Sequence, residues 1–103
     1  MVQDKLPDWK LTLVGDGPQF GTCRQIIAEK KLKRVCLTGH QMSIPYIDRA
    51  RILCLTSVIE GLPTVFTEAM SLGVIPIGFD SFNAIYDMID DGIDGFIIPD
   101  NNY

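Results

Sequence analysis

The stretch from Ile52 to Ile77, ILCLTSVIEGLPTVFTEAMSLGVIPI, decides how the rest of this 103-residue chain is read. It opens on an apolar run at 52–56, breaks in a loop carrying Gly61 and Pro63, continues through an apolar-rich stretch at 64–72, and returns to an apolar run at 74–77. Continuous rather than alternating hydrophobicity in the two short runs suits strands buried on both faces, the habit of parallel sheets. The intervening stretch reads as a helix with Thr64 as its N-cap. Strand, helix and strand in this order make a parallel unit with a right-handed crossover.

Outward from this unit the alternation continues. Residues 11–14, 35–38 and 96–98 are further apolar runs bounded by Gly, Pro or polar residues, which brings the strands to five. Helices are expected at about 19–32, from Ser43 as N-cap to about Ala50, and at about 83–89. Pro18 suits the first turn of the 19–32 helix. Lys30, Lys31, Lys33 and Arg34 gather at its far end, where the helix dipole favours cations. The expected fold is α/β, a Rossmann-like parallel sheet of about five strands with flanking helices, within a single domain.

Charge is split along the chain. Residues 1–51 hold all nine Lys and Arg against five acids, whereas residues 52–103 hold eight acids and no Lys or Arg. A nucleic-acid surface on the second half is therefore not expected, because phosphates would meet only carboxylates. The cysteines Cys23, Cys36 and Cys54 are odd in number and lack metal-ligand spacing. Cys36 and Cys54 sit inside apolar runs and read as small buried hydrophobes in a reducing, cytoplasmic compartment. His40 is the sole histidine, so neither a Cys–His nor a Ser–His constellation can be argued. No apolar run approaches the roughly 20 residues of a membrane span, and no signal peptide opens the chain.

Two segments could carry chemistry. Val14-Gly15-Asp16-Gly17-Pro18 breaks a strand into glycines just before a helix, which permits a tight turn, close ligand approach and an anion at the helix end. With Gly21 the spacing becomes Gly-x-Gly-x3-Gly, near that of dinucleotide-binding turns. The next strand, however, ends Leu37-Thr38-Gly39-His40 without the acid that would bind ribose, so a nicotinamide or flavin site is disfavoured. A purely structural turn remains open. In the second segment Glu60 follows a strand and Glu68 lies just over one turn into the 64–72 helix, eight positions away. That arrangement suits a diphosphate at the helix tip with carboxylates accepting hydrogen bonds from sugar hydroxyls. An isolated Glu68 would read instead as a helix-dipole acid, though in an apolar helix it needs a partner.

Together, Gly15-Asp16-Gly17-Pro18, the segment from Ser57 through Glu60-Gly61-Leu62-Pro63-Thr64 to Glu68-Ala69 and Gly73-Val74-Ile75-Pro76-Ile77, and the tail Asp91-Gly92-Ile93-Asp94-Gly95-Phe96-Ile97-Ile98-Pro99 resemble one family. It is the retaining glycosyltransferases of family 4, in the donor-binding, C-terminal half of the GT-B fold. The likeness runs from about Trp9 to Asn101. It implies that residues 1–103 are a partial nucleotide-sugar-binding domain of an enzyme that transfers a hexose-type sugar to a glycan or lipid-linked acceptor, as in cell-surface polysaccharide synthesis. By the same resemblance Glu68 bonds the ribose hydroxyls, and Glu60 lies beside the transferred sugar as the catalytic carboxylate. Gly61, Leu62 and Thr64 would meet sugar and diphosphate through backbone NH groups. Gly15, Gly17, Gly39 and Met42 would lie near nucleotide and base. The donor is expected to be UDP-linked, with no metal and no other cofactor. The absence of any Asp-x-Asp agrees with a metal-free reaction. The alternative outside enzymology is a non-catalytic small α/β nucleotide-binding or scaffold module.

The chain departs from the family in two ways. Pro63 stands where many members have Gly, which removes one backbone NH. The strand and loop that carry an Arg and a Lys for the diphosphate are missing, as is the N-terminal acceptor domain. The 103 residues alone are therefore expected to be inactive. The missing strand would lie between the runs at 11–14 and 52–56. The sheet is accordingly expected either to close by direct pairing of those runs or to recruit another chain, a second copy included, through its exposed edges. The full-length protein is further expected to meet a membrane peripherally.

Overall fold

The computed structural model describes residues 2–56 and 63–100. The chain forms two compact units, Met1–Ser43 and Ile44–Tyr103. The N-terminal unit holds α1 (Val2–Lys5), β1 (Leu11–Leu13), α2 (Phe20–Glu29) and β2 (Val35–Leu37). β1 and β2 pair in parallel, with Leu11 opposite Val35 and Leu13 opposite Leu37. Pro18 lies in the turn before α2 rather than in its first turn. The helix ends at Glu29, and Lys31 adopts a left-handed φ of 52° that turns the chain away. The cations at 30–34 therefore begin at the C-cap, Lys30, and follow the last helical turn rather than lying within it.

The C-terminal unit holds α3 (Ile44–Arg49), β3 (Ile52–Leu55), α4 (Thr64–Ser71), β4 (Ile75–Phe79), α5 (Ile85–Met88) and β5 (Phe96–Ile98). Its sheet has the order β3-β4-β5, parallel throughout, with Ile52 opposite Ile75 and Ile77 opposite Phe96. The core lies here. Phe66 and Ile85, both fully buried, form one cluster with Phe82 and Ile89, while Ile47, Ala69 and Val74 form a second. Leu53 of β3 and Val65 of α4 pack against both clusters and so join them. Gly78 of β4 is the floor of this packing. A Cβ there would stand 2.7 Å from the Ile85 side chain and 2.9 Å from the Phe66 ring, so only glycine lets both reach the strand.

Four expectations need correction. The five strands form two sheets, of two and three strands, and no ladder joins β1 to β3 among the described residues. Closure by direct pairing of those strands is thereby overturned among the described residues. The strands were also expected to be buried on both faces, yet β1 leaves Leu11 50% exposed. A two-stranded sheet has too little structure around it to cover two faces. Thr64 is not the N-cap of α4. Pro63 takes that position with φ −72° and ψ 104°, and Thr64 becomes the first helical residue. A proline supplies that φ from its ring, so no side-chain cap is needed to set the entry angle. Finally, Cys54 is exposed rather than buried, the one β3 residue in that class, although its sulfur is partly covered.

Candidate functional site

In the N-terminal unit the candidate site is built of backbone. Beyond β1, Gly15 takes a φ of 137° and Gly39, beyond β2, a φ of 73°, both in the region that disfavours any Cβ. Gly15 N–H donates to the Gly39 carbonyl at 2.9 Å, an isolated antiparallel bridge. Thr38 reinforces it. Its N–H donates to the Leu13 carbonyl at 3.1 Å and its hydroxyl to the Gly39 carbonyl at 2.9 Å. The turn carrying Gly15 and Gly17 is thus held against the Gly39 turn at the carboxyl ends of parallel strands, where open α/β sheets bind ligands. Met42 follows on the same loop, 78% exposed.

The first anion at this turn is the protein's own. Gly17 N–H donates to Asp16 Oδ1 at 2.8 Å, so one of the amides ahead of α2 is already satisfied. Beside it lies an open groove of about 470 Å³ lined by Val14, Gly15, Gly17, Pro18 and the apolar side chains of Leu13, Phe20, Cys23 and Leu37. The Arg24 guanidinium sits 5.4 Å from the centre of the Phe20 ring. Of these lining residues Gly15 and Gly17 were singled out from the sequence, whereas Leu13, Phe20, Cys23 and Leu37 were not. The spacing of Phe20, Cys23 and Arg24 on one helix, directly after the glycine turn, is the signal that could have found them.

In the C-terminal unit Glu60, Gly61 and Leu62 lie outside the described residues. Thr64 opens α4 and is exposed, and Glu68 is its fifth residue. Buried Phe66 and Ala69 anchor the helix on either side of Glu68 in sequence, which fixes the position of its backbone. The Glu68 side chain is half-buried, not buried, so it avoids the cost of a dry unpaired carboxylate. Hydroxyls of α4 bond within the helix, Thr67 to the Thr64 carbonyl and Ser71 to the Glu68 carbonyl, each at 2.7 Å.

The acidic tail has a structural explanation. Asp91 accepts the Ile97 N–H at 2.9 Å and Asp94 accepts the Asp90 N–H at 2.8 Å, so these carboxylates tie the turn ahead of β5. Among the described residues no group of three His, Cys, Asp or Glu side chains could hold a metal ion. Nor is any helix among them long and apolar enough to cross a membrane. Packing around its sulfur pushes the Cys54 thiol above its ordinary value, which disfavours the thiolate at neutral pH.

Residues 1–103 match the family model for glycosyl transferases group 1. The lipopolysaccharide 1,6-galactosyltransferase of Salmonella typhimurium is 32% identical over 94 residues, covering 85% of this chain and 26% of that protein. Thus the chain spans about a quarter of the length of such curated relatives, 26% and 28% in two instances. Among solved structures, the pneumococcal O-GlcNAc transferase GtfA in complex with UDP and GlcNAc is 27% identical, with a TM-score of 0.86 over 97% of this chain and 20% of that one. Anabaena HepE in complex with UDP-glucose is 25% identical, with a TM-score of 0.80 over 92% of this chain and 28% of that one. The family match over the whole chain, on an α/β framework of parallel strands and crossover helices, settles the assignment: the chain belongs to the glycosyl transferases group 1 family.

Proposed function

We propose that the chain is the sugar-nucleotide-binding part of a retaining, metal-independent glycosyltransferase. The complete polypeptide would move a hexose-type sugar from a UDP-linked donor to a glycan or lipid-linked acceptor during cell-surface polysaccharide synthesis, on the cytoplasmic side. Glu68 carries the reading. It is a half-buried carboxylate on a helix anchored by Phe66 and Ala69. A carboxylate so held can accept two hydroxyl hydrogen bonds, which is what a ribose presents. Gly15, Gly17, Gly39 and Met42 would meet the nucleotide on the clasped turns. Thr64, with Gly61 and Leu62, would offer backbone NH groups to diphosphate and sugar, and Glu60 would stand beside the sugar's reacting carbon as the catalytic carboxylate. Two similar structures hold UDP or UDP-glucose, which supports a uridine donor here. Similarity to a lipopolysaccharide galactosyltransferase supports a glycan or lipid-linked acceptor.

Titration calorimetry on the complete polypeptide with UDP- and GDP-linked sugars tests the donor class. Glu68→Ala should weaken nucleotide binding by about 1.5–3 kcal/mol, the scale of hydrogen bonds to a charged group. Unchanged affinity refutes the ribose role. Retention is read from the anomeric proton couplings of the first-formed product, and metal independence from full turnover in the presence of a chelator. A protein that binds the donor but transfers nothing to any acceptor would be the non-catalytic module instead.

A further inference from the structure

Thr38 stands where the two glycine turns meet. It directly follows β2 and is half-buried, and its N–H continues the parallel ladder onto the Leu13 carbonyl at 3.1 Å. Its hydroxyl has two acceptors within reach, the Gly39 carbonyl at 2.9 Å and the Leu13 carbonyl at 3.4 Å. A hydroxyl carries one proton, and the shorter contact is the one of ordinary hydrogen-bond length, so the proton goes to Gly39. The same Gly39 carbonyl accepts the Gly15 N–H at 2.9 Å, which engages both of its lone pairs. One bond from Gly15 sets a distance and leaves the Gly39 peptide free to swing about it. A second donor fixes the direction of that carbonyl as well. Such a restraint matters here because Gly15 and Gly39 both sit at positive φ, where glycine has many other conformations open to it. The β-branch of threonine limits its own rotamers, so the hydroxyl is presented at little further cost in entropy. Asp16, by contrast, bonds Gly17 within its own turn and does not span the two.

We infer that Thr38 is a positioning residue for the donor nucleotide: its hydroxyl sets the orientation of the Gly39 peptide, and with it the surface that the clasped turns offer to the ligand. This role rests on Gly15, Gly17 and Gly39 meeting the nucleotide. The Gly39 carbonyl is fully engaged, so it is not an acceptor for the ligand, and Thr38 acts through the shape of the turn rather than by touching the donor. Its loss is felt as a change of population. A turn that spends only part of its time in the competent arrangement binds more weakly by that fraction. The net worth of one neutral hydrogen bond corresponds to a change of about three- to tenfold in such a population.

Titration calorimetry of the complete polypeptide with UDP and with GDP tests this role. Thr38→Val keeps the branched shape and removes the donor, and affinity should fall about three- to tenfold. Thr38→Ser keeps the hydroxyl and should stay within about twofold of the unsubstituted protein, a difference smaller than one hydrogen bond. Amide exchange at Gly15 should quicken in Thr38→Val and not in Thr38→Ser. Ile27→Ala loosens α2 in the same unit without touching the turns and should leave affinity unchanged. Where Thr38→Val fails to fold, Thr38→Ala set against Thr38→Ser carries the same comparison, with alanine losing affinity and serine keeping it. Unchanged affinity in Thr38→Val, in a protein that Glu68→Ala weakens, overturns the role of Thr38 and leaves the donor-binding reading standing. An equal loss in Thr38→Ser or in Ile27→Ala overturns it too, because packing and not the hydroxyl would then be responsible. If the unsubstituted protein holds neither UDP nor GDP, both readings fall together.

Discussion

The two units use the same ingredients, parallel strands with a crossover helix, and hold them together differently. In the N-terminal unit no described residue is buried, and its candidate site is an arrangement of backbone groups around Gly15 and Gly39. In the C-terminal unit seven hydrophobic residues are buried among those described, and its described candidate residue, Glu68, is a side chain on a helix pinned by two of them. Charge follows the same division: the first unit has seven Lys and Arg against four acids, and the second has two against nine. The contrast teaches that a site can be positioned in two ways. Hydrogen bonds and turn geometry place amides without a core, whereas a carboxylate that must sit half-buried needs packed neighbours to fix its helix.

The largest expected effect breaks this comparison directly. Phe66→Ala empties the centre of the larger cluster beside Ile85 and should cost about 3–5 kcal/mol. Ile27→Ala, on the half-covered face of α2, should cost only about 1–2 kcal/mol because little apolar surface returns to water. Urea unfolding measures both, and amide hydrogen exchange assigns each loss to its unit. Equal costs would mean that the two units are packed alike. Next in size is Gly95→Ala. A Cβ at Gly95 would stand 2.7 Å from the Pro76 carbonyl oxygen, a backbone atom that cannot swing aside, so a loss of about 1–3 kcal/mol is expected from the same unfolding curves.

The elements were legible for a reason that does not extend to their assembly. Short apolar runs at 52–56 and 74–77, separated by an apolar-rich helical stretch, identify strands and a crossover helix from local pattern alone, and the strands stand at Ile52–Leu55 and Ile75–Phe79. How the strands divide into ladders is a matter of edges that no local pattern encodes, and the described strands form a two-stranded and a three-stranded sheet rather than one of five. Thr64 shows a smaller failure of the same kind. Threonine before an apolar run reads as a cap, but Pro63 had already set the backbone, and its burial fixed the helix start one residue earlier than a side-chain cap would. Cys54 read as buried because its neighbours are apolar, yet alternate residues of a strand point to opposite faces, and one face of β3 is only partly covered there. Of the candidate site, the glycine turns and Glu68 were visible as motifs. The groove formed by Leu13, Phe20, Cys23 and Leu37 was not, because it needs the register that sets β1 beside β2.

A smaller substitution sharpens the contrast from the side of the N-terminal unit. Gly15→Ala meets nothing within 4 Å, so its cost is conformational alone, at a φ of 137°. A loss of about 1–2 kcal/mol is expected, with the Gly15–Gly39 bridge opening and the amide of Gly15 losing protection against exchange. If nucleotide affinity falls with it while Phe66 variants that remain folded keep theirs, the backbone clasp belongs to the site. If affinity is unchanged, the turn is only structural.

The smallest effect concerns the acidic half. Tyr86 is 58% exposed, and its phenol is raised above the ordinary value, first by its hydrogen bond to the Asp80 side chain, then by partial desolvation and by the charges of Asp80 and Asp91. The raised value means that folding favours the neutral phenol. Its contribution to stability is complete below the ordinary phenol range, about pH 10, and is lost as pH climbs through the folded value. In Asp80→Ala the acceptor and the nearer charge go together, so phenolate absorbance should appear at lower pH, and the small contribution of the contact at neutral pH should be lost with it. A titration that does not move would assign the shift to Asp91 and the diffuse field of the acidic unit. A titration that returns to the ordinary value would make it a local contact, which an exposed ring in water can keep only where a charged acceptor holds the proton in place.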